Sequence, residues 1–126
     1  MINTKEFEAL IKTESKKRYE YFIKRIVDFE EVWSLADTEG FALTKDDNGR
    51  LLAPFWPAQE YAEYCAIGEW KEYKPEKIEF DEFMSEWLPG LKNDNIGISI
   101  FFNNIDSITL PINKLIEDLN LELEDY

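Results

Sequence analysis

Any chemistry in this chain has to be built without histidine, because none of its 126 residues is one. That excludes triads that rely on imidazole and removes the commonest general base and transition-metal ligand. The one cysteine, Cys65, falls on an apolar helical stripe with Ala58, Tyr61 and Ala62, so it reads as a packed thiol rather than a nucleophile. A single thiol forms no internal disulfide and, without histidines, no structural zinc site. The five glycines stand singly at 40, 49, 68, 90 and 97, which rules out a glycine-rich phosphate loop. Asp46-Asp47-Asn48-Gly49 invites a calcium reading, but aligning Gly49 with the loop glycine puts Phe55 where a bidentate Glu is required. Carboxylate pairs remain: Glu60 with Glu63 on one helix, and Asp81, Glu82 and Glu86 on another. They are the raw material of a glycosidase-like or magnesium-dependent site. With 27 acidic residues such pairs arise by chance, so an enzyme ranks last among the function classes, and no catalytic residue, metal or cofactor is assigned.

Binding is the other chemistry on offer. Trp56, Tyr61, Trp70, Tyr73 and Trp87 fall close enough in the chain to line a groove for a peptide or small ligand. Trp33 and Trp87 sit at patterned apolar positions and read as core, whereas Trp70 follows a helix-ending Gly68 beside Lys71-Glu72-Tyr73 and is expected to stay partly exposed. The candidate binding residues are therefore Trp56, Glu60, Glu63, Trp70 and Tyr73. Net charge is -13, and it is unevenly placed: residues 1–28 carry seven Lys/Arg against five Asp/Glu, the remainder seven against 22. Nucleic acid is not an expected direct partner, since affinity there comes from cations neutralising phosphates. The acidic body is either a solvated surface or a face that steers towards a basic protein.

These residues must be positioned by elements that the pattern outlines. Asn3 with Glu6 predicts an amino-terminal cap, and residues 1–14 form a short, peripheral helix. Tyr19, Phe22, Ile23, Ile26 and Val27 make their own stripe, which requires a break at Thr13–Ser15 and a second helix over Lys16–Phe29 capped by Ser15. Its Lys/Arg residues at 16, 17, 18, 24 and 25 read as a wet face. Val32–Ala36, Phe41–Thr44 and Leu51–Phe55 read as a three-stranded meander with Asn48-Gly49 at its second turn, and Pro54 should keep its strand near an edge or end the pairing early. A third helix over Ala58–Ile67 should stop at Gly68, and a short extended piece is expected at Ile78–Phe80. A fourth helix from Asp81 buries Phe83, Met84, Trp87 and Leu88 and ends at Pro89-Gly90. Ile96–Phe102 alternates as the central strand with small Gly97 and Ser99 on its other side, Ser107–Leu110 adds a short strand, and Pro111 opens a last helix with Ile112, Leu115, Ile116 and Leu119 inward. Residues 122–126 read as a frayed acidic tail. The order ααβββααββα predicts one α+β domain, a mostly antiparallel sheet of about five strands covered by helices.

Val32-Trp33-Ser34-Leu35 with Gly40-Phe41-Ala42-Leu43, Phe55-Trp56-Pro57 with Glu60-Tyr61-Ala62, and the run from Asp81 to Leu91 resemble the domain of unknown function 2750 family of bacterial proteins. The resemblance spans about residues 18 to 120 and implies a small bacterial protein but no reaction and no site residue. The order from Trp56 onwards is also similar, in architecture alone, to the SseB amino-terminal domain, which supports a protein-interaction role by analogy. The expected function is a non-catalytic protein-binding module, in one form an immunity-type inhibitor of a basic toxin. The alternative is a small-ligand sensor or carrier that uses the aromatic cleft. The opening residues lack signal-peptide order and no apolar run approaches a membrane span, so a cytoplasmic protein off the membrane is expected. Oligomeric state is left open.

Overall fold

Asn3 opens the first helix as its side chain predicts: in a computed structural model that describes residues 2–125, its Oδ1 accepts the Glu6 amide at 2.8 Å and α1 spans Thr4–Ile11. The Glu6 carboxylate does not return to the cap; it accepts the Tyr21 hydroxyl at 2.6 Å and ties α1 to the next helix. α2 spans Ser15–Phe29 with Glu14, not Ser15, at its N-cap and no side-chain capping bond. Two of its cations leave the wet face expected for them. Arg18 stands four residues before Phe22 and eight before Ile26, so the helix turns it into the core. Arg25 lies 3.9 Å over the Phe29 ring.

The strands form two three-stranded sheets joined at one point. β1 (Glu31–Asp37) pairs antiparallel with β2 (Gly40–Phe41) and with β5 (Lys74–Glu79); β4 (Leu51–Phe55) pairs antiparallel with β3 (Thr44–Lys45) and parallel with β6 (Gly97–Ile100). The join is the Trp33–Trp56 bridge, whose two backbone bonds measure 2.9 and 2.8 Å. The strand expected at Phe41–Thr44 therefore splits, because its first half follows β1 and its second half follows β4. Gly49 takes the positive φ that its turn requires, and Asp46 Oδ1 accepts the amides of Asn48 and Arg50.

Pro54 sits in a strand paired on both sides and not at an edge, but the pairing with β3 ends early, at Leu52, as a proline there allows. Its nitrogen points towards β1, into the gap between the β3 pairing and the Trp33–Trp56 bridge, so no ladder bond is lost. Ser34 fills that gap by donating to the Pro54 carbonyl at 2.7 Å. β5 is six residues long, more than the expected extended piece, and alternates Lys and Glu along an outer edge where Pro75 is tolerated. Ser107–Leu110 contributes only a bridge from Ile108 to Ile100.

α3 is shorter than expected, Gln59–Tyr64, and Gly68 opens a 3₁₀ turn (Gly68–Trp70) rather than closing the helix. Pro89-Gly90 does not end the fourth helical run, which passes from α4 (Phe80–Glu82) through a π-helical turn (Phe83–Trp87) into α5 (Leu88–Asn93). Proline has no amide to offer Ser85 and would clash with its carbonyl; the wider turn, closed by Leu88 N–H to Phe83 O, moves that carbonyl away. α6 runs Ile112–Glu124, so the acidic tail stays helical to Glu124. Phe22, Ile26, Val32, Leu35, Phe55, Trp56, Tyr61, Phe83, Ile98, Leu115 and Leu119 meet in one core, and the class is α+β.

Candidate functional site

Parallel pairing puts the amino-terminal ends of β4 and β6 side by side, and small residues on β6 leave the surface over them low. A Cβ on Gly97 would lie 2.7 Å from Leu52 Cδ2 and 3.3 Å from Arg50 Cζ, so two side chains of the β3–β4 hairpin already lie over this glycine. Ser99, two residues on, is buried and shares a 2.9 Å hydrogen bond with the Ser107 hydroxyl. Two hydroxyls in one hydrogen bond retain one O–H donor between them for a further acceptor.

The hairpin on one side and residues 102–113 on the other raise walls along this floor. The result is a trough of two adjoining hollows that share Asp46, Leu52 and Thr109. One hollow, of about 480 Å³, is bounded by Trp70, Phe102, Ile105, Ser99, Ser107 and Thr44, with the charged side chains of Lys45, Asp47 and Asp106 also on its lining. The other, of about 440 Å³, is bounded by Arg50, Lys92, Asn95, Asn113 and the start of α6. Trp70 stands edge-on to Trp56 at 6.1 Å and to Phe102 at 6.4 Å, and is half-buried. Trp56 has no exposed surface; its Nε1 donates to the Phe102 carbonyl at 2.8 Å, as does the Cys65 thiol at 3.1 Å. Burial pushes that thiol up to about 12 from its ordinary 9.0, so Cys65 is a structural donor and not a nucleophile.

The wall at 101–106 is a loop held rigidly. Phe101 and Asn104 take positive φ, and Arg18 clamps the loop from below: Nε donates to the Phe101 carbonyl at 3.0 Å and Nη2 to the Asp106 carbonyl at 2.8 Å and carboxylate at 2.6 Å. Its Nη1 donates to the Thr13 carbonyl. Buried Asn103 adds a second anchor, donating to the Ile11 carbonyl and accepting the amides of Ile105 and Asp106.

At the other end two cations, Arg50 and Lys92, line the hollow with one carboxylate, Asp46. The Arg50 guanidinium makes no ion pair within 4.0 Å among the described residues, Asp46 meeting the Arg50 backbone amide instead, and Lys92 Nζ donates to Asn113 Oδ1 at 2.9 Å. α6 begins there behind Pro111 with no side-chain cap, which leaves its first amides and the positive end of its dipole at the trough.

The five candidate binding residues are divided by the fold. Trp70 lines the trough and Trp56 supports it from the core. Glu60 and Glu63 project from α3 into a separate groove, of about 360 Å³, with Ile2, Thr4, Phe7 and the exposed Tyr64. Tyr73 packs half-buried against the core and lines neither hollow. Arg50, Lys92, Ser99, Ser107 and Asn113 were not anticipated. The signal available was the small pair Gly97/Ser99 opposite an alternating apolar face; the residues that gather around it come from distant parts of the chain. Among the described residues no group of three acidic or cysteine side chains is placed to hold a metal ion, and no helix is long and apolar enough to cross a membrane.

A search of the curated proteins returns no match. The profile of a family described as "Protein of unknown function (DUF2750)" matches residues 19–119, which run from the stripe of α2 through the Trp33–Trp56 bridge and both hollows to the last buried leucine of α6. The chain therefore belongs to the DUF2750 family.

Proposed function

We propose that this protein is a non-catalytic binding module whose ligand lies in the trough. One observation carries the reading: two adjoining hollows place aromatic and hydroxyl groups at the Trp70 end, where Asp47 and Asp106 lie on the rim, and two cations, Arg50 and Lys92, against the single carboxylate of Asp46 at the other end. Its two hollows have the size of small-ligand sites, and a few convergent polar groups on an apolar floor are what such sites use for orientation. The matching ligand is a small organic anion. Its phosphate or carboxylate faces Arg50, Lys92 and the first turn of α6, and its body lies against Trp70 and Phe102. The site has a hydroxyl pair but no imidazole to deprotonate it, which favours holding a ligand over transforming it. The test is a thermal-shift and calorimetric screen of organic phosphates and carboxylates at millimolar concentration. At least one class should raise the melting temperature, and Trp70→Ala and Arg50→Glu should each weaken its binding at least tenfold. No shift from any anion, or a shift that both variants retain, would sink the reading.

A second reading is a module for a basic protein, with an immunity-type inhibitor of a basic toxin as its specific form. It is supported by the acidic excess and by the α1–α3 groove, where Glu60 and Glu63 flank exposed Tyr64. Capture from source cells at low and high salt, compared with Glu60→Lys/Glu63→Lys, tests it. A basic partner retained at high salt and by the double variant would remove the charge argument.

A further inference from the structure

The π-helical turn places an aromatic ring among carboxylates. In a regular α-helix, residues five apart sit about 140° apart around the axis. The i→i+5 turn at Phe83–Trp87 brings Glu82 and Trp87 to one side, and Trp87 Nε1 donates to Glu82 Oε1 at 3.3 Å. Glu86, Gly90, Leu91 and Asp94 complete that face around a shallow hollow of about 350 Å³. Phe41 from β2, itself partly exposed, abuts Trp87 edge-on at 4.6 Å and extends the apolar strip beyond the helix.

The charges of this face have no cation to meet. Glu82, Glu86 and Asp94 are exposed and make no ion pair among the described residues, while Lys92 on the same helix is turned to Asn113. Asp94 caps the carboxyl end of α5, where the helix dipole adds further negative potential. An apolar centre with an ionic rim has the anatomy of a protein interface, and a Lys or Arg side chain matches it, with an apolar stem for Trp87 and Leu91 and a cation for the carboxylates.

We infer that this face docks a basic, Lys/Arg-bearing segment of a partner protein. The inference rests on the second reading for the sign of the partner only, and it assigns the contact to the Trp87 face and not to the Glu60–Glu63 groove. The probe is a fluorescent peptide that alternates Arg with Leu, titrated at 20 and 300 mM salt while the four indole N–H signals are followed by nuclear magnetic resonance, that of Trp87 assigned through Trp87→Phe. The expected result is a shift of the Trp87 signal alone, with Glu82→Gln/Glu86→Gln/Asp94→Asn weakening binding at least tenfold and Glu60→Gln/Glu63→Gln changing it less than twofold. Loss in the Glu60/Glu63 variant instead would overturn this placement and leave the second reading standing. Equal loss in both variants would mean diffuse charge attraction and overturn it too, and no binding at all would remove both. Self-association through Trp87, seen in sedimentation as a dimer that Trp87→Phe dissociates, would make the occupant a second copy and overturn the basic partner.

Discussion

Arg18 is the residue on which most of the trough depends, although it never reaches it. Three carbonyls, from Thr13, Phe101 and Asp106, take their donors from one guanidinium that is itself buried. Replacing Arg18 by Ala removes all of those donors at once and is expected to cost about 3 kcal/mol in urea unfolding. Arg18→Lys keeps the charge but not the planar array of donors, so it should recover less than half of that loss. Asp106→Asn should cost about 1 kcal/mol or less, because the carboxylate is 55% exposed and water replaces much of the pair. If Asp106→Asn cost as much as Arg18→Ala, the clamp would be an ion pair and the carbonyls incidental. Tyr61 offers the converse case. Its hydroxyl is buried with only the Tyr21 hydroxyl as a polar neighbour and no hydrogen bond of good geometry, so Tyr61→Phe should cost less than about 1 kcal/mol in urea unfolding.

Among the elements, β6 shows what a pattern exposes and what it hides. Ile98 and Ile100 were legible as inward residues, and so was the smallness of Gly97 and Ser99; that all four are buried, and that β4 rather than β6 is the middle strand of the sheet, was not. Nor was the parallel partner of β6, because β4 lies some 45 residues earlier in the chain and nothing local distinguishes parallel from antiparallel pairing in a buried strand. Gly97→Ala places a methyl against Leu52 and the Arg50 guanidinium; both are side-chain ends that can shift, so the cost should be modest, about 1 kcal/mol. The larger effect should fall on anion binding, since Arg50 has to leave its place over the strand. Calorimetry against an anion from the screen would show a loss of affinity out of proportion to the loss of stability; unchanged affinity would mean that Arg50 does not face the ligand. Pro89 teaches a related lesson. Proline was read as a helix stop, but the π-helical turn removes the clash and lets the helix continue to Asn93. The helix stripes, the Asn3 cap and the Asn48-Gly49 turn were legible because each is a local matter of spacing or φ. Splitting one strand between two sheets, or sending Trp56 inward while Trp70 lines a cavity, depends on partners far off in sequence.

For the molecule as a whole, pH dependence gathers these buried groups into one observable. Burial raises the Cys65 thiol to about 12, and burial followed by hydrogen bonding to Asp118 raises the Tyr19 phenol; burial also raises the Tyr61 phenol. Each is protonated in the folded state at a pH where the unfolded chain ionises. Their contribution to stability is therefore fully present below the ordinary value, 9.0 for the thiol and 10.0 for the phenols, and is lost as pH rises through the folded values. Urea unfolding should give nearly constant stability from pH 7 to about pH 9 as far as these groups are concerned, and a steady decline above it. Cys65→Ala should flatten the first part of that decline, and native Cys65 should resist alkylation at pH 8 until the chain unfolds. A thiol that labels at the rate of a free peptide would contradict its burial. The candidate sites are less legible than the fold for the same reason at a larger scale: the trough and the α1–α3 groove are each assembled from separate segments, and the Trp87 face, though local, depends on a π-helical turn that a 3.6-residue spacing does not announce.

The Arg18 clamp also imposes an order in time. Its acceptors at Phe101 and Asp106 lie 83 and 88 residues further along the chain. During synthesis α2 is complete long before they emerge, and Arg18 waits as an unsatisfied cation on an apolar stripe until they do. Closing such distant contacts is slow relative to forming a helix, so the trough is expected to form after α2, which pulse-labelling of amide exchange during refolding would show. A chain that stops short of the 101–106 loop lacks one wall of the trough, so on the reading proposed above it should not bind the anion.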